Sequence, residues 1–101
     1  MEFIEASLFT QLVYKYLSKE EFLVFQNFLL ISPEAGDIIP GSGGVRKIRW
    51  KITGTGKRGG VRIIYYFKKQ DDEIWLLTIY KKNEIQNLPA HILKKIAEEL
   101  K

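Results

Sequence analysis

The second half of the chain holds three strand-like runs, Val45–Ile52, Val61–Phe67 and Ile74–Tyr80, separated by turn-forming segments. Runs of this length, set so close together, satisfy their backbone donors and acceptors by pairing with one another, so an antiparallel meander is expected. Its first turn, Thr53 to Gly60, contains four of the eight glycines together with Lys57 and Arg58. Its second, Lys68 to Glu73, is polar and tight. Both have the composition of hairpin connections.

The flanking segments supply a short strand and three helices. Met1 to Ala6 alternates apolar and acidic residues, which suits an opening strand. Leu8, Leu12, Val13 and Tyr16 recur at helical spacing after Ser7, a candidate N-cap, and predict a helix to about Leu17. Ser18-Lys-Glu-Glu21 has the form of a capping box and starts a second helix with Phe22, Phe25, Phe28 and Leu29, which must stop before Pro33. The segment Pro33 to Gly44, rich in Pro, Gly, Asp and Ser, is expected to be a loop. A last amphipathic helix over about Pro89 to Leu100 brings Ile92, Leu93, Ile96 and Leu100 to one face. The predicted order is β-α-α-β-β-β-α: an α+β fold with a mostly antiparallel sheet, an N-terminal helical hairpin and a C-terminal helix. The pattern Gly-Gly-Val-Arg-x-Ile occurs at Gly43 and again at Gly59, two similar strand entries without a longer repeat.

With 101 residues and 46% hydrophobic content the chain suits one domain, 1–101, with its own core. It contains no Cys, so packing alone must hold it together, and a single His leaves too few ligands for a transition metal. No metal and no cofactor are predicted. Met-Glu-Phe-Ile-Glu does not resemble a signal peptide, and no stretch approaches the roughly 20 apolar residues of a membrane span. A cytoplasmic protein without membrane association is expected.

Charge narrows the function. Ile38 to Gln70 holds nine Lys/Arg and no Asp or Glu, whereas the remainder holds seven Lys/Arg against twelve Asp/Glu. Such sorting creates a cationic field that attracts polyanions, nucleic acid first among them. Along Val45–Ile52 alternation puts Lys47, Arg49 and Lys51 on one face and Ile48, Trp50 and Ile52 on the other. The cationic face is either a solvated sheet surface or a phosphate-binding one, in which Arg grips phosphate through paired hydrogen bonds. Arg62 shares a face with Ile64 and Tyr66, an expensive position unless it meets an anion or extends its head to water. Tyr65, Tyr66 and Tyr80 are either base-stacking surfaces or plain core. Gly54-Thr-Gly-Lys-Arg-Gly59 matches a dinucleotide fingerprint only in letters, because a strand and not a helix follows it. His91, in the last helix, receives no catalytic role.

The segments Gly43-Gly-Val-Arg-Lys-Ile-Arg-Trp50, Gly56-Lys-Arg-Gly-Gly-Val-Arg-Ile-Ile-Tyr-Tyr-Phe67 and Leu76-Leu-Thr-Ile-Tyr-Lys-Lys-Asn-Glu84 give the chain, over nearly its whole length, a resemblance to the RelE/HigB toxins of bacterial type II toxin–antitoxin pairs. The HigB-type branch is the most similar. The resemblance implies a RelE-like fold and a metal-independent endoribonuclease that cuts translated mRNA in the ribosomal A site by attack of the ribose 2′-hydroxyl on the adjacent phosphate. Its implied partners are the ribosome, mRNA and a cognate antitoxin. By the same resemblance Lys47, Arg49 and Arg62 orient and stabilise the phosphate, and Lys82 stands near a family arginine. Arg46, Lys51, Arg58, Lys68 and Lys69 extend the basic surface toward RNA.

The stretch Asn83-Glu-Ile-Gln-Asn-Leu88 lacks the Tyr or His with which some relatives transfer protons. Candidates for that task are Lys47 and Lys57, since neighbouring cations favour a neutral amine, then the hydroxyls of Tyr66 and Tyr80. Glu84 is an alternative base or a structural anchor. Two other functions are compatible with the chain: a gyrase-binding toxin of the ParE kind, and an RNA-binding module without chemistry.

Overall fold

The computed structural model describes residues 1–52, 60–82, 84 and 89–100. Its elements are β1 (Glu2–Glu5), α1 (Ser7–Tyr16), α2 (Lys19–Ile31), β2 (Asp37–Ile38), β3 (Val45–Trp50), β4 (Val61–Lys68), β5 (Glu73–Lys81) and α3 (Ala90–Leu100), with a 3₁₀ turn at Lys69–Asp71. The five strands form one sheet in the order β1-β5-β4-β3-β2. β1 runs parallel to β5, and the other pairs are antiparallel. The α+β architecture and the β3-β4-β5 meander are therefore as the residue pattern predicts. The first turn of the meander, with Lys57 and Arg58, lies outside the described residues.

Helices cover both faces of the sheet. On one, Phe9, Val13 and Tyr16 of α1 and Phe22, Phe25 and Leu29 of α2 pack on Ile48, Ile63, Tyr65, Ile74, Leu76 and Ile79. The tilted rings of Phe9 and Phe22, 5.6 Å apart, join the helical hairpin. On the other face Leu93 and Ala97 of α3 rest on Val45, Ile64, Tyr66 and Leu77. A strand between two apolar layers can bury both of its faces, and Val61 to Tyr66 is buried without interruption.

Several expectations are corrected in detail. Ser7 is not an N-cap: the sheet pairing continues through Ala6, whose N–H donates to the Leu76 carbonyl, so the capping position falls on Ala6, whose side chain has no acceptor to offer. The capping box at Ser18 and Glu21 is present in both of its hydrogen bonds. Leu8 is exposed and Phe9 takes its place in the core; on α3 Ile92 is exposed and Ala97 is buried. The predicted loop Pro33–Gly44 contains β2, which pairs Asp37 with Lys47 and Ile38 with Arg46. Two residues are too few to show a period of two.

Candidate functional site

β3, β4 and β5 build the site row by row. Residues opposite one another in adjacent strands project from the same face, so the register Arg49↔Arg62↔Tyr80 forms one row and Lys47↔Ile64↔Thr78 the next. Both lie on the α3 face of the sheet, as do Val45, Tyr66 and Trp75 further along. α3 rests on this last group. Beyond it Arg49, Trp50, Lys51, Ile52, Gly60, Arg62 and Lys82 line a cleft of about 300 Å³. Four of these seven described residues are cationic, and none of the seven carries a carboxylate.

Arg62 is only 8% exposed, whereas Arg49 opposite it reaches solvent. Two guanidinium groups on directly opposed positions repel each other. A negative charge placed between two such groups would offset that repulsion. Gly60 forms the narrow end: its φ is +57°, and a Cβ there would overlap the Trp50 carbonyl oxygen, so only glycine lets β4 begin this close to β3. Trp50 fixes this end of β3 from the other face of the sheet, its ring edge-on to Phe25 at 5.0 Å and tilted against Phe28 at 5.3 Å.

Tyr80 reaches this face through an irregularity. The register of β4 against β5 shifts between Ile64 and Tyr65, leaving Leu77 as an extra residue in β5. Strict alternation from Trp75 and Leu77 would put Ile79 and Lys81 on the α3 face; the bulge puts Thr78 and Tyr80 there instead. Tyr80 is half-buried, and burial raises the pKa of its phenol while the positive charge of Arg62 partly opposes the rise. The phenol is thus neutral at physiological pH and lies within the field of Arg62. Thr78 next to it is wholly buried, and its hydroxyl has no hydrogen-bond partner among the described residues.

Lys82 enters the cleft from a turn at the end of β5. The Glu84 N–H donates to the Lys81 carbonyl at 3.0 Å. Glu84 Oε1 accepts from the Lys81 N–H at 2.8 Å and from the Tyr16 hydroxyl at 2.7 Å. These hydrogen bonds, the Lys81 amide first, hold the Glu84 carboxyl below its ordinary pKa, and both of them fall on Oε1. Burial, then Glu84, pushes the Tyr16 phenol up to about 12.

The other candidates lie elsewhere. Arg46 is on the α1/α2 face, where its guanidinium donates to the carbonyls of Glu34 and Gly36 and pairs with the Glu34 carboxylate at 3.6 Å. Those bonds assign it to anchoring the segment after α2. Lys68 pairs with Asp71 at 2.8 Å and, with Lys69, sits about 20 Å along β4 from Arg62, taking roughly 3.3 Å per residue. Tyr66 is buried beneath α3, four residues from Arg62 on the same strand. Lys47 is exposed one row from Arg49 and Arg62. Lys57 and Arg58 lie outside the described residues. Among the described residues no group of three or more His, Asp or Glu converges in a way that could hold a metal ion.

Three features had no reading in the sequence: Tyr16 as a partner of Glu84, 68 positions away, the bulge at Leu77, and the role of Arg46 as an anchor. The only local hint of the first is an acidic residue among lysines at the end of a strand.

No protein-family profile matches the chain. Among solved structures, it is similar to a doubly substituted mutant of the E. coli toxin RelE in the free state, with a TM-score of 0.61, 17% identity, and 81% of this chain and 83% of the other covered. It is also similar to a chain of the intact E. coli RelBE toxin–antitoxin complex, with a TM-score of 0.59, 16% identity, and 82% and 98% covered. The chain has the RelE fold.

Proposed function

We propose that this chain is a toxin of the RelE/HigB type: an endoribonuclease that cuts translated mRNA on the ribosome in the cytoplasm and is silenced by a cognate antitoxin. The observation that carries the reading is the cleft of Arg49, Lys51, Arg62 and Lys82, with no carboxylate among its described lining residues, on a RelE fold. The HigB-type assignment rests on the Gly59-Gly-Val-Arg-Ile-Ile-Tyr-Tyr66 run. The absence of any 18-residue apolar helix among the described residues is compatible with a cytoplasmic site of action.

In the proposed reaction the ribose 2′-oxygen attacks the neighbouring phosphorus, the bond from phosphorus to the 5′-oxygen breaks, and the products are a 2′,3′-cyclic phosphate and a 5′-hydroxyl. Negative charge on the non-bridging oxygens grows toward the transition state. Arg49 and Arg62, held in place by the sheet, answer that charge with no reorganisation, which makes them selective for the transition state over the bound substrate. Lys51 and Lys82 hold flanking phosphates as point charges. Tyr80, kept neutral by burial, donates a proton to the leaving 5′-oxygen. The proton of the attacking hydroxyl passes to a base for which Lys47 and Lys57 are the candidates.

The test is inducible expression of the chain and of Arg62→Ala, followed by growth measurement and mapping of new mRNA 5′ ends. Removing one charged group that meets the transition state costs about 2–4 kcal/mol, a fall of roughly 30- to 1,000-fold in cleavage rate. Codon-phased cuts that vanish in Arg62→Ala support the reading. Intact messages with gyrase-linked DNA breaks would sink it in favour of a ParE-like action, and cutting of naked RNA at the same rate would remove the ribosome from it.

A further inference from the structure

We propose that Glu84 is a positioning residue: its carboxylate, joined to the Tyr16 hydroxyl and the Lys81 amide, closes the turn that aims Lys82 into the cationic cleft. Its consequence for cleavage rests on the ribonuclease reading; the geometry does not.

Lysine carries its charge on a flexible four-carbon stem, so the place of the ammonium depends on how firmly the backbone beneath it is held. Lys82 follows the last residue of β5 and lines the cleft with Arg49, Lys51 and Arg62. The turn that contains it is closed by two bonds between Lys81 and Glu84, one backbone and one to Oε1. A third bond, from Tyr16, ties the same oxygen to the last residue of α1. α1 is a rigid post: Phe9 and Val13 are fully buried and Tyr16 is 6% exposed. The Lys15 and Lys81 ammonium groups lie 5.6 and 5.9 Å from the Tyr16 ring centre; their charges add a smaller contribution to the hydrogen bonds from the Lys81 amide and the Tyr16 hydroxyl that lower the Glu84 pKa. A turn that merely ended a strand would need only the two local bonds. The third fixes the cleft's outer cation relative to the helical layer behind the sheet.

Because Oε1 alone accepts both side-chain-directed bonds, Glu84→Gln retains the geometry and removes the charge, whereas Glu84→Ala removes both. The experiment compares Glu84→Ala, Glu84→Gln, Tyr16→Phe, Lys82→Ala and the double variant Glu84→Ala/Lys82→Ala. Three quantities are read: the rate of message cleavage on ribosomes, the affinity for a short fluorescent 2′-O-methyl RNA that cannot be cut, and the backbone order parameter of the Lys82 amide by NMR. Lys82→Ala and Glu84→Ala each weaken RNA binding about fivefold to tenfold, the double variant is no weaker than Lys82→Ala, and Glu84→Gln binds at least as well as the parent. The Lys82 order parameter falls from about 0.85 to below 0.6 in Glu84→Ala and stays high in Glu84→Gln.

Multiplying losses in the double variant, or an unchanged order parameter in Glu84→Ala, overturn the proposal. So does tighter binding in Glu84→Ala, the outcome of an electrostatic role alone. If the parent cuts no message yet the binding cycle is coupled and the order parameter falls, the ribonuclease reading fails and the positioning role stands. Cleavage by the parent with an additive cycle has the opposite meaning.

Discussion

Replacing Tyr65 by Phe deletes one oxygen atom and takes the partner from one buried and one half-buried backbone group. Tyr65 is 0% exposed; its hydroxyl donates to the Pro33 carbonyl and accepts from the Gly36 N–H, both at 2.9 Å. Gly36 is itself buried, and a Cβ on it would come within 2.9 Å of the Tyr65 ring and 3.2 Å of the Arg46 Cβ, so water has no room to replace the hydroxyl on that side. A stranded buried donor costs about 1–3 kcal/mol, and the half-buried Pro33 carbonyl adds less, for a loss of about 2–4 kcal/mol. Against a total stability of about 5–15 kcal/mol for a domain of this kind, that is a large share. At roughly 4–8 °C per kcal/mol for a chain of this size, Tm drops by roughly 8–32 °C. Urea unfolding followed by tryptophan fluorescence checks the figure, with an unchanged m-value expected because the surface exposed on unfolding is the same. Tyr14→Phe, on the exposed side of α1, serves as the control and changes stability by less than about 0.5 kcal/mol. A Tyr65→Phe loss no larger than that of the control would refute the idea that this hydroxyl holds the segment between α2 and β3.

Three further outcomes follow from the same geometry. Gly60→Ala forces a Cβ into the Trp50 carbonyl at a positive φ, so the β3–β4 pairing beside the cleft must shift; urea unfolding shows a loss of about 2 kcal/mol or more. The Tyr16 phenol, raised by burial first and then by Glu84 from 10.0 to about 12, lends stability that is complete below pH 10 and lost as pH rises toward 12, because the unfolded chain ionises earlier. Ultraviolet titration of phenolate shows this late step, and Glu84→Ala moves it part of the way back to 10.0. Removing Arg49 or Lys51 lowers the salt dependence of single-stranded RNA binding by about 0.7 in log K against log salt for each phosphate that the side chain had neutralised; an unchanged slope means that it meets no phosphate.

Much of the cleft is readable in one dimension because alternation is a local property. Lys47 and Arg49 had to share a face of β3 once Ile48 and Trp50 faced the core, and Arg62 had to share a face with Ile64 and Tyr66; Lys51, which alternation also put there, follows the end of the strand. What alternation does not contain is register. Arg49 opposes Arg62, and not Ile64, because the strands align in one of several possible ways. Arg46 shows the same limit: its charge adds to the basic total, yet its parity turns it to the other face and into the bonds of Glu34 and Gly36. Lys68 and Lys69 belong to the basic run in sequence and to the far end of β4 in space.

By itself, then, the order of residues determined the helical hairpin with its capping box, the meander, the presence of α3 and the sorting of charge, all of which arise from neighbours within a few positions. Tertiary structure decided the rest. The bulge at Leu77 turned Tyr80 toward Arg62, and Tyr16 met Glu84 across 68 residues, two positions beyond the cleft's Lys82. The physical reason is that packing between layers selects one register and one set of long-range hydrogen bonds from many that local preferences leave equal in energy.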